Sequence, residues 1–457
     1  VSPKEWADRL VEQSWKPLLQ TLDLANDDFI RTTEARHEVA VTKFLTLLHD
    51  KGFIYQGEYE GFYCVGCEEY KPAADLVDGV GEFEGQKVCQ IHGRPVEVLK
   101  EENYFFKMSD FQQDLLDLYQ SQPDFIQPPS VRNEIIAFVN RGLDDLSISR
   151  SNIDWGIEVP FDKSHVTYVW FEALLNYITA TGWGSDEETF ARRWPAIQLV
   201  GKDIARFHAV IWPAMLMAAG LAPPKRVFAH GWLLVGGEKM SKSKLTGIAP
   251  TDITSVFGSD AFRYYFLRAI TFGSDGSFSW EDLSARYEAE LANGLGNLAS
   301  RVIAMITRYR DGVIPDGAPG SAPAEAALQA VMAEAVPAAD AAMNAFAPHE
   351  ALGQLWRIVD ATNGYITEQE PWVLAKDPQE AQRLDAVLYN AADALRCLAV
   401  TLSPFMPQAT HKLWVALGMP GSLQDQNIPD AGFAGGLTPG VSVGELLPLF
   451  PRIDPEA

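Results

Sequence analysis

Four side chains in this sequence are spaced to hold one metal ion. Cys64-Val65-Gly66-Cys67 and Cys89-Gln90-Ile91-His92 form a C-x2-C … C-x2-H pattern. A two-residue spacer lets a tight turn bring both side chains of a pair to one side, so each pair can bite one ion. Three thiolates and an imidazole suit tetrahedral zinc with no open position, which is a structural centre. One structural Zn2+ per chain is therefore expected; two free thiol pairs on loops is the plain alternative. The fourth cysteine, Cys397, lies in an apolar helical stretch and reads as core.

A second group is cationic. Lys239-Met240-Ser241-Lys242-Ser243 follows Gly236-Gly237-Glu238. When a carboxylate attacks an α-phosphate, charge builds on the leaving pyrophosphate. Two lysines on a mobile loop can neutralise that charge mainly in the transition state, an effect on the order of 10²–10³ in rate. Taken without context, the same residues are a solvated surface run.

The elements around these groups follow a pattern. Three short apolar segments, 166–170, 197–200 and 227–230, are separated by helical text at 171–180 and 204–219, which is the grammar of a parallel α/β sheet. Ligands of such sheets sit past the carboxyl ends of the strands. Before this region, residues 1 to about 55 read as helices, 53–67 alternates as strands do, and 64–97 is Gly- and Asp-rich. Helical and turn text then runs to about 152. From about 284 the chain is helical, broken by a Pro/Gly/Ala loop at 315–323 and ending in a Pro- and Gly-rich tail from about 421. Ser2-Pro3-Lys4-Glu5 reads as a capping box with proline at the first helical position.

On these residues the sequence resembles the class I aminoacyl-tRNA synthetases, for which the K-M-S-K-S loop is a signature. In that family the second lysine, here Lys242, acts most directly on pyrophosphate. The resemblance implies roles for Lys239, Ser241, Lys242 and Ser243 in activation. It also implies ATP contacts by Lys242, Gly201, Asp203, His230 and Gly231, with Mg2+ on the phosphates. The tail Lys244-Leu245-Thr246-Gly247 departs from the Gly-Asn that many members carry soon after the motif.

Two further segments resemble the methionyl enzymes of that class. Val169-Trp170-Phe171-Glu172-Ala173-Leu174-Leu175-Asn176-Tyr177 is similar to their methionine-pocket helix. Gly201-Lys202-Asp203-Ile204-Ala205-Arg206-Phe207-His208 is similar to their second pocket segment. By resemblance, Trp170, Ala173, Leu174, Tyr177, Ile204, Phe207 and His208 line the methionine side chain. Aromatic walls suit a polarisable thioether, and a tyrosine hydroxyl can donate weakly to sulfur. A missing methylene is worth only about 1–3 kcal/mol, so homocysteine is expected to be imperfectly rejected. Singly, each aromatic reads as ordinary core and His208 as a satisfied buried histidine; the lysine loop makes the joint reading the better one. An insertion at 56–152 is too small for the editing domains of the isoleucyl, valyl and leucyl enzymes. The cysteinyl enzyme is the nearest rival, but its zinc binds substrate, whereas this cluster reads as closed.

Ala292-Asn293-Gly294-Leu295-Gly296-Asn297-Leu298-Ala299-Ser300-Arg301 resembles the anticodon-recognition helix of the family, and Pro371-Trp372 its stacking tryptophan. Asn297 and Arg301 share a helix face and could meet base edges of a splayed loop, with Trp372 under a base. A helix cap, a solvated arginine and a core tryptophan are the bland readings. Arg308 and Arg310 are weaker candidates for phosphate.

The implied fold is α/β. A Rossmann-type catalytic domain (1–55 and 153–232) is split by the zinc-knuckle insertion (56–152). The K-M-S-K-S region (233–283), a helical anticodon-binding domain (284–420) and a tail packing back on the body (421–457) follow. The implied function is a ligase that joins L-methionine to tRNA(Met) with ATP; a non-catalytic tRNA-binding fragment is the alternative from another class. The family's H-x-G-H-type motif is absent from the eight histidines. The resemblance implies that it, with roughly 60 residues of the pattern, would precede Val1. The chain by itself is therefore expected not to form methionyl-adenylate.

Composition is that of an ordinary globular protein. The chain has 457 residues, 47% hydrophobic and 21% charged, as soluble multi-domain proteins do. Its net charge of −24 argues against a general nucleic-acid binder or a binder of anionic membranes. RNA would have to be met through local patches. The longest apolar stretch, 209–224, holds three prolines and does not read as a membrane span. The opening residues lack the regions of a secretory leader, so the cytoplasm is expected. With no dimerisation module after the tail, a monomer is expected.

Overall fold

The computed structural model describes residues 1–67, 69–71, 73–151, 153, 155–236, 238–239, 247–317 and 322–453. The chain divides into two compact units, Asp27–His230 and Val1–Asn26 with Gly231–Ala457.

The first unit is built on a parallel sheet. Ile197–Gly201 and Arg226–His230 pair in register from Ile197–Arg226 to Gly201–His230, and Ile126–Gln127 adds a third strand on the far side of Arg226–His230. Helix Ala35–Asp50 shows why the sequence packs here. Its inward residues His37, Ala40, Val41, Phe44, Leu45 and Leu48 recur at helical spacing, which makes one apolar stripe. Each large apolar side chain so buried contributes roughly 1.5–3 kcal/mol. That stripe joins a core shared with Phe171, Leu175, Ile178 and Trp212.

Two expectations change. The segment 166–170 is no strand of the parallel sheet: Asp162–Thr167 pairs antiparallel with Ser149–Arg150 and Glu158–Val159, and Val169–Glu172 is helical. A short apolar run does not distinguish a strand from a buried helical turn. The missing strand is Ile126–Gln127, two residues long and too short for periodicity to register. Secondly, 97–106 is not helical or turn text. Glu97–Phe106 is a strand paired antiparallel with Ile54–Cys64 along nearly its whole length. Its glutamates and lysine favour helix locally, and cross-strand pairing overrides them.

In the second unit, Leu233–Val235 pairs in parallel with Gly276–Phe278 and antiparallel with Glu238–Lys239. A bundle follows: Asn297–Arg310, Pro323–Asn344, Pro348–Gln369, Ala381–Leu402 and Pro407–Ala416. Ala381–Leu402 is its axis, buried at every residue from 387 to 402, Cys397 included. Arg263 ties the opening residues to the bundle. Its guanidinium donates to the carbonyls of Leu22 at 3.0 Å, Asp23 at 3.2 Å, Pro404 at 2.6 Å and Phe405 at 3.0 Å. The expected capping box at Ser2 and Glu5 is present. The tail lies along the bundle, with Tyr389 donating to Leu437 O and Tyr287 to Pro451 O, both at 2.7 Å. Among the described residues no helix is long and apolar enough to cross a membrane.

Candidate functional site

The metal ligands converge. Cys64, Cys67 and Cys89 Sγ and His92 Nδ1 all lie within 4.8 Å of one another. Cys64 and Cys67 are 3.7 and 3.2 Å from His92 Nδ1, and Cys67 is 3.7 Å from Cys89. A tetrahedron with metal–sulfur bonds of about 2.3 Å has edges of about 3.8 Å, so one ion fits the four donors. Local backbone builds the cradle. Cys67 N donates to Cys64 O at 3.1 Å and Gly93 N to Cys89 O at 2.9 Å, closing a tight turn at each pair. Gly66 has no room for a side chain, since a Cβ there would stand 2.9 Å from the His92 ring. Burial would raise the Cys89 thiol, but N–H donors from His92 and Ile91 outweigh it and bring it down to about 6. Burial and contacts with Cys64 and Cys89 push Cys67 up to about 12. Metal binding requires the thiolate form, which a bound divalent cation favours.

The aromatic residues also meet. Trp170 stacks on Phe207 with centroids 4.5 Å apart and planes at 19°. Tyr177 Oη lies 2.7 Å from His208 Nε2, and His208 Nδ1 lies 2.9 Å from Ile204 O. A carbonyl can only accept, so Nδ1 carries the proton and Nε2 accepts from the tyrosine hydroxyl. Burial lowers the His208 pKa below 6.5 and pushes Tyr177 up to about 12, so both are neutral near pH 7. The Tyr177 proton is therefore committed to His208, which replaces the expected donation to sulfur. Trp170, Ala173, Tyr177, Ile204 and Phe207 are half-buried, whereas Leu174 is buried in the core. A cavity of about 590 Å³ opens beside Phe207, bounded also by Arg150, Tyr168, Lys202 and Asp203.

Sequence reasoning passed over Trp212. Its ring is fully buried, 6.4 Å from that of Tyr177, and its Nε1 has no hydrogen-bond partner among the described residues. The signal was its place four residues after His208, on the same helix face.

Of the expected ATP residues, Gly201 and His230 are register partners at the carboxyl ends of adjacent parallel strands, where such sheets bind ligands. A Cβ on Gly201 would lie 2.5 Å from Asp203 Oδ1, so those three are brought together. Gly231 is a glycine for another reason: a Cβ would collide with Ser274 O at 2.1 Å. In the lysine loop the stem Glu238–Lys239 is described as a strand after Gly236 at φ +61°. Ser241, Lys242 and Ser243 lie outside the described residues.

In the bundle, Asn297 is exposed and Arg301 half-buried on one face of Asn297–Arg310, opposite Leu298, Val302 and Ile306. Arg301 has no ion pair or side-chain hydrogen bond among the described residues. Trp372 is half-buried against the core on Pro371–Leu374. Both helices pack on Ala381–Leu402. Arg310 is not available for phosphate: it pairs with Asp385 and donates to Tyr309 O at 2.6 Å and Ala381 O at 2.9 Å.

Comparison with known proteins gives the family. The family model described as tRNA synthetases class I (M) matches residues 1–80 and 82–303. The anticodon binding domain of methionyl tRNA ligase matches 314–451. The chain is 55% identical to a methionine–tRNA ligase of Streptomyces coelicolor, covering 99% of this chain and 86% of that one. It is 47% identical to one from Caldanaerobacter subterraneus, covering 100% and 70%. The fold is similar to Mycobacterium tuberculosis methionyl-tRNA synthetase in complex with methionyl-adenylate, with TM-score 0.92, 38% identity and coverage of 98% and 87%.

Proposed function

This chain belongs to the methionyl-tRNA synthetase family, and from that premise we propose that it serves the activation of methionine with ATP and the transfer of the methionyl group to the 3′ end of tRNA(Met), and that residues 1–457 alone, which carry no H-x-G-H-type motif, do not complete the adenylate step. The observation that carries the reading is the contact of the two resembling segments through two aromatic pairs, Trp170 on Phe207 and Tyr177 on His208. Family membership over nearly the whole chain sets the cysteinyl alternative aside.

The residues divide the work as follows. The stacked Trp170 and Phe207, with Ala173 and Ile204, give an apolar, polarisable wall for the thioether. Burial keeps Tyr177 and His208 neutral, so this pair presents no full charge to an uncharged side chain. The buried, unpaired Trp212 N–H gives a donor that a soft sulfur acceptor can satisfy. Gly201, Asp203 and His230 stand where ATP would lie, and Gly231 holds the chain after His230 close to Ser274. Mg2+ arriving with ATP would neutralise phosphate charge. The methionine carboxylate is itself the nucleophile, so no side chain need be acylated, and Lys239 and Lys242, aided by Ser241 and Ser243, are assigned to the departing pyrophosphate.

The Cys64, Cys67, Cys89 and His92 site is assigned to zinc, because three thiolates and an imidazole with no open position match its structural preference. Asn297, Arg301 and Trp372 are assigned to the anticodon; the unpaired Arg301 and the half-buried indole support this. A cytoplasmic location goes with the reading, since that is where these substrates meet.

Calorimetric titration tests it most directly. Methionine is expected to bind and cysteine not, and Trp170→Ala is expected to weaken methionine at least tenfold. Equal uptake of both amino acids, or no effect of Trp170→Ala, refutes the pocket assignment.

A further inference from the structure

The segment carrying Trp170 and Tyr177 is joined to a neighbouring helix by a single buried polar contact. His37 Nε2 and Glu172 Oε2 lie 2.6 Å apart, at 0% and 6% residue exposure. His37 is in the first turn of Ala35–Asp50, and Glu172 immediately precedes Ala173. All else that Ala35–Asp50 buries is apolar: Ala40, Val41, Phe44, Leu45 and Leu48. The helix packs on Ala173–Leu175, Asn176–Ala180 and Trp212–Ala219, the elements behind the aromatic cluster.

The contact is poorly suited to stabilising the fold. His37 Nδ1 is buried with no hydrogen-bond partner among the described residues. Removing both groups from water carries a desolvation penalty that one bond offsets only in part, and a well-packed apolar pair often serves stability as well or better. What the contact supplies is direction. Apolar surfaces tolerate some rotation against each other, whereas a buried hydrogen bond is satisfied at one setting. Glu172 lies two residues after Trp170 and five before Tyr177, so a turn of this short segment that moved Glu172 off His37 would carry both aromatics with it.

We propose that His37 and Glu172 are positioning residues for methionine recognition. Their bond sets the rotation of the 169–180 segment, and with it the stacking of Trp170 on Phe207 and the reach of Tyr177 to His208. This rests on the reading that the cluster takes methionine.

The test separates position from stability. In the double variant His37→Leu/Glu172→Met, the melting temperature is expected to stay within a few degrees of the unsubstituted protein, while the methionine dissociation constant by calorimetry rises tenfold or more. His37→Gln, whose amide can still donate to Glu172, is expected to bind within about threefold of the unsubstituted protein, and His37→Leu at least tenfold more weakly. This second pair decides the matter should the double variant not fold. Unchanged methionine affinity in His37→Leu, or affinity that only follows melting temperature across the set, overturns the proposal. An unsubstituted protein that takes up no methionine counts instead against the functional reading.

Discussion

The hydroxyl of Tyr177 stands 2.7 Å from His208 Nε2, while the opposite ring nitrogen stands 2.9 Å from Ile204 O. The carbonyl fixes the tautomer, and the tautomer fixes the direction of the tyrosine hydrogen bond. Removing the hydroxyl leaves a buried acceptor unsatisfied, which costs about 1–3 kcal/mol. Tyr177→Phe is therefore expected to shift urea unfolding of this unit to lower denaturant by that amount. His208→Gln, which can keep both an acceptor and a donor in the site, is expected to lose less. A Tyr177→Phe protein as stable as its parent would show that the bond is not formed in solution.

The same pair sets a pH dependence. Burial holds the His208 pKa below its ordinary value of 6.5. Above pH 6.5 neither folded nor unfolded chain carries this proton, and stability is unaffected. As pH falls below 6.5 the unfolded chain takes up the proton first, so stability is lost until the folded pKa is passed. Melting temperature is expected to fall more steeply between pH 7 and pH 5 in the parent than in His208→Gln. Parallel curves would mean that His208 titrates as a free histidine.

The thiol cluster makes its own prediction. Each chain is expected to carry one zinc by elemental analysis, and Cys89→Ser or Gly66→Ala to lower that content. Gly66→Ala acts by crowding, since the new Cβ meets His92 at 2.9 Å. Chelation is expected to expose 64–92 to protease while the parallel-sheet core of the same unit stays intact, because that core is built from other residues. Full zinc content in both variants would rule out these four ligands.

The chemistry of these sites was more legible than the sheet that positions them. Cys64, Cys67, Cys89 and His92 could be read because a metal demands particular atoms at a two-residue spacing. That Trp170 and Tyr177 would stand near Phe207 and His208 could be read from the family-like segments that carry them. Ile126–Gln127 could not, because two residues carry no period. Glu97–Phe106 misled because its local preference opposes the partner it finds in Ile54–Cys64. Trp212 and His37 were missed for a different reason. A buried tryptophan and a histidine on an amphipathic helix look like core, and only coordinates show an unpaired N–H or a glutamate across the gap. Arg310 shows the reverse: a plausible phosphate ligand in sequence, already engaged by Asp385 in the fold.

That contrast supplies a test on tRNA. Arg301 and Arg310 lie on one helix, Asn297–Arg310, but only Arg301 is without an ion pair or side-chain hydrogen bond among the described residues. Stacking of a base on an aromatic ring is worth about 1–3 kcal/mol, so Trp372→Ala is expected to weaken tRNA(Met) binding by roughly 5- to 150-fold in a filter-binding assay. Arg301→Ala is expected to weaken it as well, and both losses should disappear with a tRNA carrying another anticodon. Arg310→Ala should instead release Asp385 and the Ala381 carbonyl, lowering thermal stability while leaving tRNA affinity within about twofold. The net charge of −24 makes this discrimination sharper, since a largely acidic surface gives little nonspecific attraction to compensate for a lost contact. If Arg310→Ala weakened binding as much as Arg301→Ala, the recognition surface would have to extend to the far end of the helix, and the assignment to Asn297, Arg301 and Trp372 would fail.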